Sequence, residues 1–298
     1  MTEPIITSSP GTSMTSTPAI EGHLPLTVWL AAADTESVPA CTGGCCHPVN
    51  GPLARHLIAV CTRLGDTVVH LGATDHQLVT AALTAGCLPV AAFTDAARAG
   101  VIWTRLARTH PAHDLEVTDL RITDLDDDET PYADLVGKVG LVVMEQTCDR
   151  PGRHLGRPSS PDAAKAHSIT AAARLVKPDG HLAVVAGLHR QGDVVDPLPE
   201  IIVQAREAGL AYLQHIIALR HPARGERIEP DPLRRGLRAL QELPACAGLP
   251  ASARVHSDVL LFTRPKGLSA PQDPETTPSG AATSPIAAGA VAQVGGGR

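Results

Sequence analysis

Aromatic residues are scarce in this chain of 298 residues, because Phe, Tyr and Trp together make up only 2% of it. A core built without them must rely on Ala, Val and Leu, which bury less area per side chain but can still pack densely. Long apolar runs are missing too, since none approaches the roughly 18 residues that a membrane-spanning helix requires. The chain is therefore predicted to form one large α/β domain with tails and no transmembrane helix.

Basic residues do not predominate, because 25 Lys and Arg are outnumbered by 31 Asp and Glu and the formal net charge is −6. Proteins whose main task is to hold a phosphate backbone are usually basic. The charge therefore argues against tight, non-specific binding of nucleic acid. A local DNA-binding face remains one interpretation of the arginine-rich stretch from Arg220 to Arg238. A solvated insertion is the preferred alternative for that stretch.

A secretory leader and a zinc signature are also missing. The N-terminus has no basic start followed by an apolar segment, so a cytoplasmic protein is expected, with its seven cysteines reduced. Four possible metal ligands do cluster in one loop, at Cys41, Cys45, Cys46 and His47. Their spacing is C-x3-C-C-H without a second pair further along, whereas zinc sites usually combine two separated pairs. A thiol-containing loop is preferred to a metal centre, and no metal cofactor is predicted.

Common catalytic signatures are absent: there is no P-loop, no complete G-x-G-x-x-G, no H-E-x-x-H and no G-x-S-x-G. What stands out is the stretch GDTVVHLGATDHQLVTAALTAGCLPVAAFTD, residues 65–95. Its pattern predicts a strand that turns at residues 70–75 and then a helix that Gly86 ends. Residues 88–93 form the second strand. Such a βαβ unit places its first turn where open α/β sheets bind nucleotide-like ligands.

Five further apolar runs predict strands at residues 115–120, 139–144, 181–186, 211–219 and 257–263. Helices are predicted at residues 52–61, from Asp95 to about Arg108, and at residues 161–176 and 198–208. Alternating strands and helices with right-handed crossovers predict a parallel sheet, and the last two strands lack a covering helix. The predicted fold class is α/β: a doubly wound, seven-stranded, mostly parallel sheet with an antiparallel C-terminal edge. The domain should span residues 24–264, between disordered tails at 1–23 and 265–298.

Several segments occur in one order along this domain. They are LPLTVWLAAAD, His47-Pro48 before PLARHLI, GDTVVHLGATDHQLVTAAL, VTDLR, GKVGLVVMEQTCD, RLVKPDGHLAVV and RVHSDVLLF. Together they resemble the S-adenosylmethionine-dependent DNA methyltransferases that modify the exocyclic amines of cytosine or adenine. The resemblance covers nearly all of the predicted domain. It implies a class I methyltransferase-like Rossmann fold, S-adenosylmethionine as the cofactor and DNA as the partner.

The resemblance also implies roles for single residues. The cofactor positions are, in chain order, His70, Gly72, Asp95 and Asp119. His70 and Gly72 fall in the glycine-rich motif, Asp95 near the ribose-binding acid, and Asp119 at the acid that contacts the adenine amine. The motif that holds a flipped-out base in this family corresponds here to Glu145, Gln146, Thr147 and Cys148.

The chain departs from the family pattern at the positions that carry the chemistry. The first motif should have an acid and at least two glycines, which let the backbone approach the ligand, but His70 and a single glycine stand there. The catalytic motif should have two prolines and an aromatic residue, and residues 145–148 have neither. Asp95 could instead cap a helix, Asp119 could be a turn residue, and residues 145–148 could form a polar loop. No catalytic residue is therefore assigned.

Three functions follow from these observations. The first is a methyltransferase with divergent motifs that acts on a base amine in DNA. The second is a non-catalytic pseudoenzyme of the same fold that binds DNA or protein. The third is an enzyme of this fold with a different, small substrate, because a fold does not fix a function. The replaced motif residues favour the second on mechanism, and the first and third require binding of S-adenosylmethionine.

Overall fold

The computed structural model describes residues 26–32, 48–93, 96–122, 132–146, 168–191, 193–224, 227–228 and 255–267. The strands in these ranges are β1 (Leu26–Leu30), β2 (Thr67–Leu71), β3 (Leu88–Phe93), β4 (Asp119–Ile122), β5 (Val139–Glu145), β6 (Val176–Ala186), β7 (His189–Gln191), β8 (Asp193–Val195), β9 (Ala211–Leu219), β10 (Ala223–Arg224), β11 (Arg227–Ile228) and β12 (His256–Thr263). The helices are α1 (Gly51–Cys61), α2 (Gln77–Thr84), α3 (Ala96–Thr109), α4 (Ala112–Glu116), α5 (Ile169–Leu175) and α6 (Leu198–Glu207), with a short 3-10 helix at Ala133–Leu135.

One large sheet has the strand order β1-β9-β12-β6-β5-β2-β3-β4. Neighbouring strands are parallel except at β12, which runs antiparallel to both β6 and β9. The predicted fold class is therefore confirmed. The structure adds β1 as an eighth strand, and it places the reversed strand inside the sheet. The reason is that β9 and β1 continue the sheet beyond β12.

Helices cover both faces of this sheet. On one face, α5 and α6 pack on β5, β6 and β12 through a cluster that includes Met144, Ile169 and Phe262. On the other face, α1 and α2 pack on the same central strands, and α3 packs on β3. All seven residues of β5 are buried, as expected for a central parallel strand covered on both sides. Small side chains suffice for this core because two helical layers close over one sheet.

Helix α1 begins as its sequence predicts. The side chain of Asn50 accepts a hydrogen bond from the Leu53 N–H at 3.0 Å, and Pro52 lies in the first turn, where it removes no helical hydrogen bond. The amide of Asn50 also donates to the carbonyl of Ala31 at 2.6 Å. The segment before α1 is thereby fixed to the residues that follow β1, with Val49 buried beside the sheet.

Three predicted elements differ from the structure. Residues 115–120 were expected to form a strand, but α4 ends at Glu116 and β4 occupies Asp119–Ile122. The four residues of β4 are only partly buried, so the apolar pattern around them is weak. The helix predicted from residue 161 begins at Ile169, because the hydroxyl of Ser168 caps it by accepting from the Ala171 N–H. The strand predicted at residues 181–186 begins earlier, at Val176, so Lys177–Gly180, whose Pro178-Asp179-Gly180 sequence is typical of a turn, lie within β6.

Several predictions concern residues outside the described ranges. They are the N-terminal tail, the C-terminal tail from residue 268 onward and the loop that holds Cys41 to His47. The disorder predicted for residues 1–23 and the domain limits at 24 and 264 stay predictions. No helix in the described part of the chain is long and apolar enough to cross a membrane.

Candidate functional site

The strand order creates a crevice between β2 and β5. The chain leaves β2 in one direction, through β3 to β4, and then returns to β5 on the other side of β2 and continues to β6. In open α/β sheets the carboxyl ends of the strands at such a reversal form the usual ligand site. His70 lies near the end of β2 and Glu145 is the last residue of β5, so both stand at this crevice.

Glu145 is the centre of a buried hydrogen-bond network. Its Oε1 lies 3.0 Å from Nε2 of His70 and accepts from the Val49 N–H at 2.9 Å. Its Oε2 accepts from the hydroxyl of Thr74 at 2.8 Å. The side chains of His70 and Glu145 are each only 2% exposed. One carboxylate therefore joins the end of β2, the turn after it, the end of β5 and the segment that leads into α1.

The register of the strands explains why this pair meets. His70 is opposite Val143, and Glu145 follows two residues later along β5. Alternate residues of a strand point to the same face, so His70 and Glu145 both point toward α1 and α2. An ionised carboxylate can only accept hydrogen bonds. Nε2 of His70 must then donate to Glu145.

The second ring nitrogen of His70 has no partner among the described residues. Nδ1 is buried from solvent and makes no hydrogen bond there. In an imidazolium this atom would be an N–H donor buried without an acceptor, which is rarer in proteins than an unsatisfied acceptor. The hydrogen bonds therefore favour a neutral ring, with the proton on Nε2 and a lone pair on Nδ1.

The turn after β2 brings backbone close to the end of β5. Gly72 has φ +73, which a residue with a side chain adopts only with strain. A Cβ at this position would lie 3.6 Å from the carbonyl oxygen of Glu145. The next residue, Ala73, donates its N–H to Ala92 of β3 at 3.0 Å. This single glycine therefore sets the course of the chain over the crevice between β2 and β5.

Asp75 ends this turn and starts α2. Its Oδ1 accepts from the Gln77 N–H at 2.8 Å and lies 3.0 Å from Nδ1 of His76. Burial by itself would raise the pKa of Asp75, but the hydrogen bonds from His76 and from the Gln77 N–H outweigh burial and lower the pKa. Asp75 is therefore an ionised residue that holds the turn in place.

Asp119 lies elsewhere than the resemblance implies. It is the first residue of β4, in register with Val90, and not the last. Arg121 donates to its Oδ2 from Nε and Nη2 at 2.9 and 2.8 Å, and also binds Asp134 with two bonds of 2.7 Å. The hydrogen bonds to Asp134 are the main reason that the pKa of Arg121 is raised. Asp119 thus forms part of a surface ion-pair network, away from the crevice.

The structure therefore unites only some of the predicted site residues. His70, Gly72 and Glu145 meet at the crevice, whereas Asp119 is on β4, two strands away from β2, and its role as a cofactor contact stays a prediction. Asp95, Thr147 and Cys148 lie outside the described ranges, and their roles stay predictions. The backbone N–H of Gln146 donates to Val185 of β6 at 2.8 Å, so this residue extends the pairing of β5.

Sequence patterns did not reveal Val49 and Thr74 as parts of this network. One signal was available, because a glutamate that ends a buried apolar strand needs several donors. Choosing those donors required the strand order, since Val49 and Glu145 are 96 residues apart in sequence. The alternation of TVVHL, with one polar residue inside an apolar strand, was the corresponding signal for His70.

In the described part, Cys61 is a buried thiol and Arg220 is bonded to the backbone. Burial raises the pKa of Cys61 to about 12, so this thiol is not reactive at neutral pH. Arg220 donates from Nη2 to the carbonyl of His256 at 3.2 Å, and Arg234, Arg235 and Arg238 lie outside the described ranges. No group of three or more His, Cys, Asp or Glu side chains is arranged for a metal ion within the described part.

Several solved structures are similar to this chain. The chain is similar to a TehB-like SAM-dependent methyltransferase from Corynebacterium glutamicum, at 13% identity over 73% of this chain and 89% of that chain, with a TM-score of 0.40. It is also similar to the 1,6-didemethyltoxoflavin-N1-methyltransferase of Burkholderia thailandensis, at 13% identity over 71% and 76% of the two chains, with a TM-score of 0.44. A third similar structure is the geranyl diphosphate C-methyltransferase of Streptomyces coelicolor, at 16% identity over 71% and 79%, with a TM-score of 0.42.

The strand order and the single reversed strand, β12, give the doubly wound, mostly parallel α/β sheet that the sequence predicts. Similarities of such low identity and TM-score say nothing about the chemistry of this chain. No protein-family model matches the chain, and no curated protein matches it in sequence. The function must therefore be argued from the residues at the crevice.

Proposed function

We propose that this chain binds S-adenosylmethionine at the crevice between β2 and β5, and that it lacks the chemistry to methylate a base amine. The observation that carries the proposal is the buried network of Glu145, His70 and Thr74 at the point where the strand order reverses. Polar groups concentrated at that point are typical of a ligand site in this architecture. The same network occupies the carboxylate that a catalytic motif would need.

The described residues at the crevice fit the half of S-adenosylmethionine that carries the sulfonium. Gly72 lies over the backbone carbonyl of Glu145 at the end of β5, and no described Lys or Arg pairs with the carboxylate of this residue. A positively charged group such as a sulfonium is compatible with a nearby carboxylate that no described Lys or Arg neutralises. For the adenosine half we assign no contact to Asp119, because Arg121 binds its Oδ2 and β4 is two strands away from β2. Asp95 remains a predicted contact for the ribose. When bound, the cofactor would supply an electrophilic methyl group.

Methyl transfer to DNA is a more specific function than cofactor binding, and the hydrogen bonds of Glu145 give it little support. In the amino-methylating family, the polar residue after the central strand holds the base amine. Here both carboxylate oxygens of Glu145 are already engaged by Val49, His70 and Thr74. Freeing them would leave buried donors unsatisfied, at a cost of about 1–3 kcal/mol each. This supports the alternative of a non-catalytic protein of the methyltransferase fold.

Calorimetric titration with S-adenosylmethionine tests the proposal, and micromolar binding is expected. Gly72→Ala should weaken this binding, because a side chain at φ +73 distorts the turn over the crevice. Gly65→Ala is the matched control, since Gly65 has φ +81 at the opposite end of β2. Both variants should lose roughly 1 kcal/mol of stability, but only Gly72→Ala should lose affinity. Absence of heat with wild-type protein at high ligand concentration would leave only the binding-module function.

Duplex DNA, contacted through the arginines from Arg220 to Arg238, is the partner that the resemblance implies. A gel-shift assay at low salt tests it: replacing both Arg234 and Arg235 by Ala should weaken binding and reduce its dependence on salt. Replacing Arg98 and Arg105, two exposed arginines of α3, removes the same charge elsewhere and is the control. If the wild-type chain never shifts duplex DNA at low salt, a DNA partner is wrong.

A further inference from the structure

The network at the crevice holds an uncompensated negative charge. Glu145 accepts from a backbone N–H, a hydroxyl and the Nε2 of an imidazole, and no Lys or Arg in the described part pairs with it. The unpartnered, buried Nδ1 of His70 favours the neutral ring. The cluster of Glu145, His70, Thr74 and Val49 therefore carries the charge of one buried carboxylate.

Glu145 is the last residue of β5, and the carboxyl ends of strands at a reversal of strand order are the usual place for a ligand in this architecture. Glu145 ends β5 beside the turn at Gly72, and neighbouring strands are about 4.8 Å apart. A ligand held over the gap between β2 and β5 is thus within one or two strand spacings of the carboxylate. At such distances, with an effective dielectric constant of about 20, one unit of ligand charge changes affinity on the order of tenfold or more. Because the carboxylate is buried, salt screens this effect only weakly.

We propose that Glu145 makes the site selective for adenosyl ligands that carry a positive charge at the sulfur position. S-adenosylmethionine has a sulfonium there, S-adenosylhomocysteine has a neutral thioether, and sinefungin has an amine in its place. The inference rests on the proposed function, because it concerns the same crevice. It goes further by naming the feature of the ligand that the buried carboxylate recognises. His70 is a positioning residue, which fixes the carboxylate through Nε2.

The test is titration calorimetry with the three ligands on the wild-type chain and on Glu145→Gln. Glutamine keeps the shape, and its amide can still accept from Val49 and bond to Thr74, so mainly the charge is removed. The wild-type chain should bind S-adenosylmethionine and sinefungin more tightly than S-adenosylhomocysteine. The variant should lose on the order of tenfold in affinity for the two cationic ligands and keep its affinity for S-adenosylhomocysteine.

Asp258→Asn is the matched control, because Asp258 is also a buried carboxylate but lies on β12, beside His215 rather than at the crevice. It should change stability without changing the ratio of the affinities. An unchanged ratio in Glu145→Gln would overturn the inference while the proposed function stands. Loss of all three ligands in that variant would also overturn it, since Glu145 would then act only as a structural residue. If the wild-type chain binds none of them, the proposed function fails and the inference fails with it.

Discussion

Two buried carboxylates, Glu145 and Asp258, are held in the sheet by different donors. Glu145 has one imidazole and two neutral donors, whereas Asp258 lies between two imidazoles, with His215 Nε2 at 2.8 Å and His256 Nε2 at 3.6 Å. Burial alone would raise the pKa of Asp258, but these two histidines outweigh burial and lower it. Burial always opposes the charged form of a carboxylate, and its hydrogen-bond and charge partners decide whether that penalty is outweighed.

Asp258→Asn should therefore reduce the loss of stability in acid. A carboxyl group whose folded pKa is lowered contributes stability above its unfolded pKa of about 3.9, and this contribution is lost as the pH falls through the folded value. The variant lacks this group, so its urea midpoint should fall less than that of the wild type between about pH 6 and about pH 3. At neutral pH the variant should be less stable by about 1–3 kcal/mol.

Glu116→Gln provides the comparison for this experiment, because Glu116 is an exposed carboxylate of α4. Its midpoint should follow the wild type across the whole pH range. A wild-type and an Asp258→Asn curve that fall in parallel through the acid range would show that Asp258 is not responsible for the acid dependence.

At the scale of the element, α1 is the helix that ties the first strand to the crevice. Its cap residue, Asn50, accepts from the Leu53 N–H and donates to the Ala31 carbonyl after β1. The residue before it, Val49, donates its N–H to Glu145. The start of one helix therefore fixes both the edge of the sheet and one donor of the network at the crevice.

Asn50→Ala should cost more than the loss of an ordinary helix cap. Loss of the cap costs about 1 kcal/mol, and the unpaired carbonyl of Ala31 adds about 1–3 kcal/mol. Ser168→Ala removes only the cap of α5, so it should lower the free energy of unfolding by about 1 kcal/mol. Asn50→Asp keeps the cap acceptor but sets a carboxylate oxygen against the Ala31 carbonyl, so it should cost more than Ser168→Ala. Equal urea midpoints for Asn50→Ala and Ser168→Ala would contradict a double role for Asn50.

Protection of the backbone amides from hydrogen exchange should decrease from β5 toward the edge strand β4. β5 lies between β2 and β6 and is buried along its full length, whereas β4 is a four-residue edge strand that is only partly buried. Segments with few buried contacts open most readily. Hydrogen exchange measured by mass spectrometry should show β5 exchanging only with global unfolding and β4 exchanging much faster. Equal protection of β4 and β5 would contradict this order.

The sequence allowed the central part of the fold to be predicted but not its margins. The apolar runs of β2, β3, β5 and β6 are continuous because helices cover both sides of those strands. β1 was not predicted as a strand and β4 was misplaced, because edge strands are short and partly exposed and their patterns are weak. Sequence reasoning also placed Asp119 at the end of a strand, and the structure places it at the start.

The candidate site could be predicted only as separate residues. His70, Gly72 and Glu145 stand out because each is a polar residue or a glycine beside an apolar strand. Their hydrogen bonds depend on β5 lying beside β2, which follows from the way the whole chain is wound and not from any local pattern. The donors Val49 and Thr74 belong to loops, whose positions are set by the elements that they connect.

The insertion of β12 between β6 and β9 has a consequence for the order of assembly during translation. β1 precedes the other described strands in sequence, yet among them it pairs only with β9, and β9 joins the remainder of the sheet through β12. β12 follows all of them, so a nascent chain that has not reached His256 exposes the apolar edge of β6. The sheet of the described strands therefore cannot be completed before β12 is synthesised, and until then the open edge of β6 is exposed to aggregation.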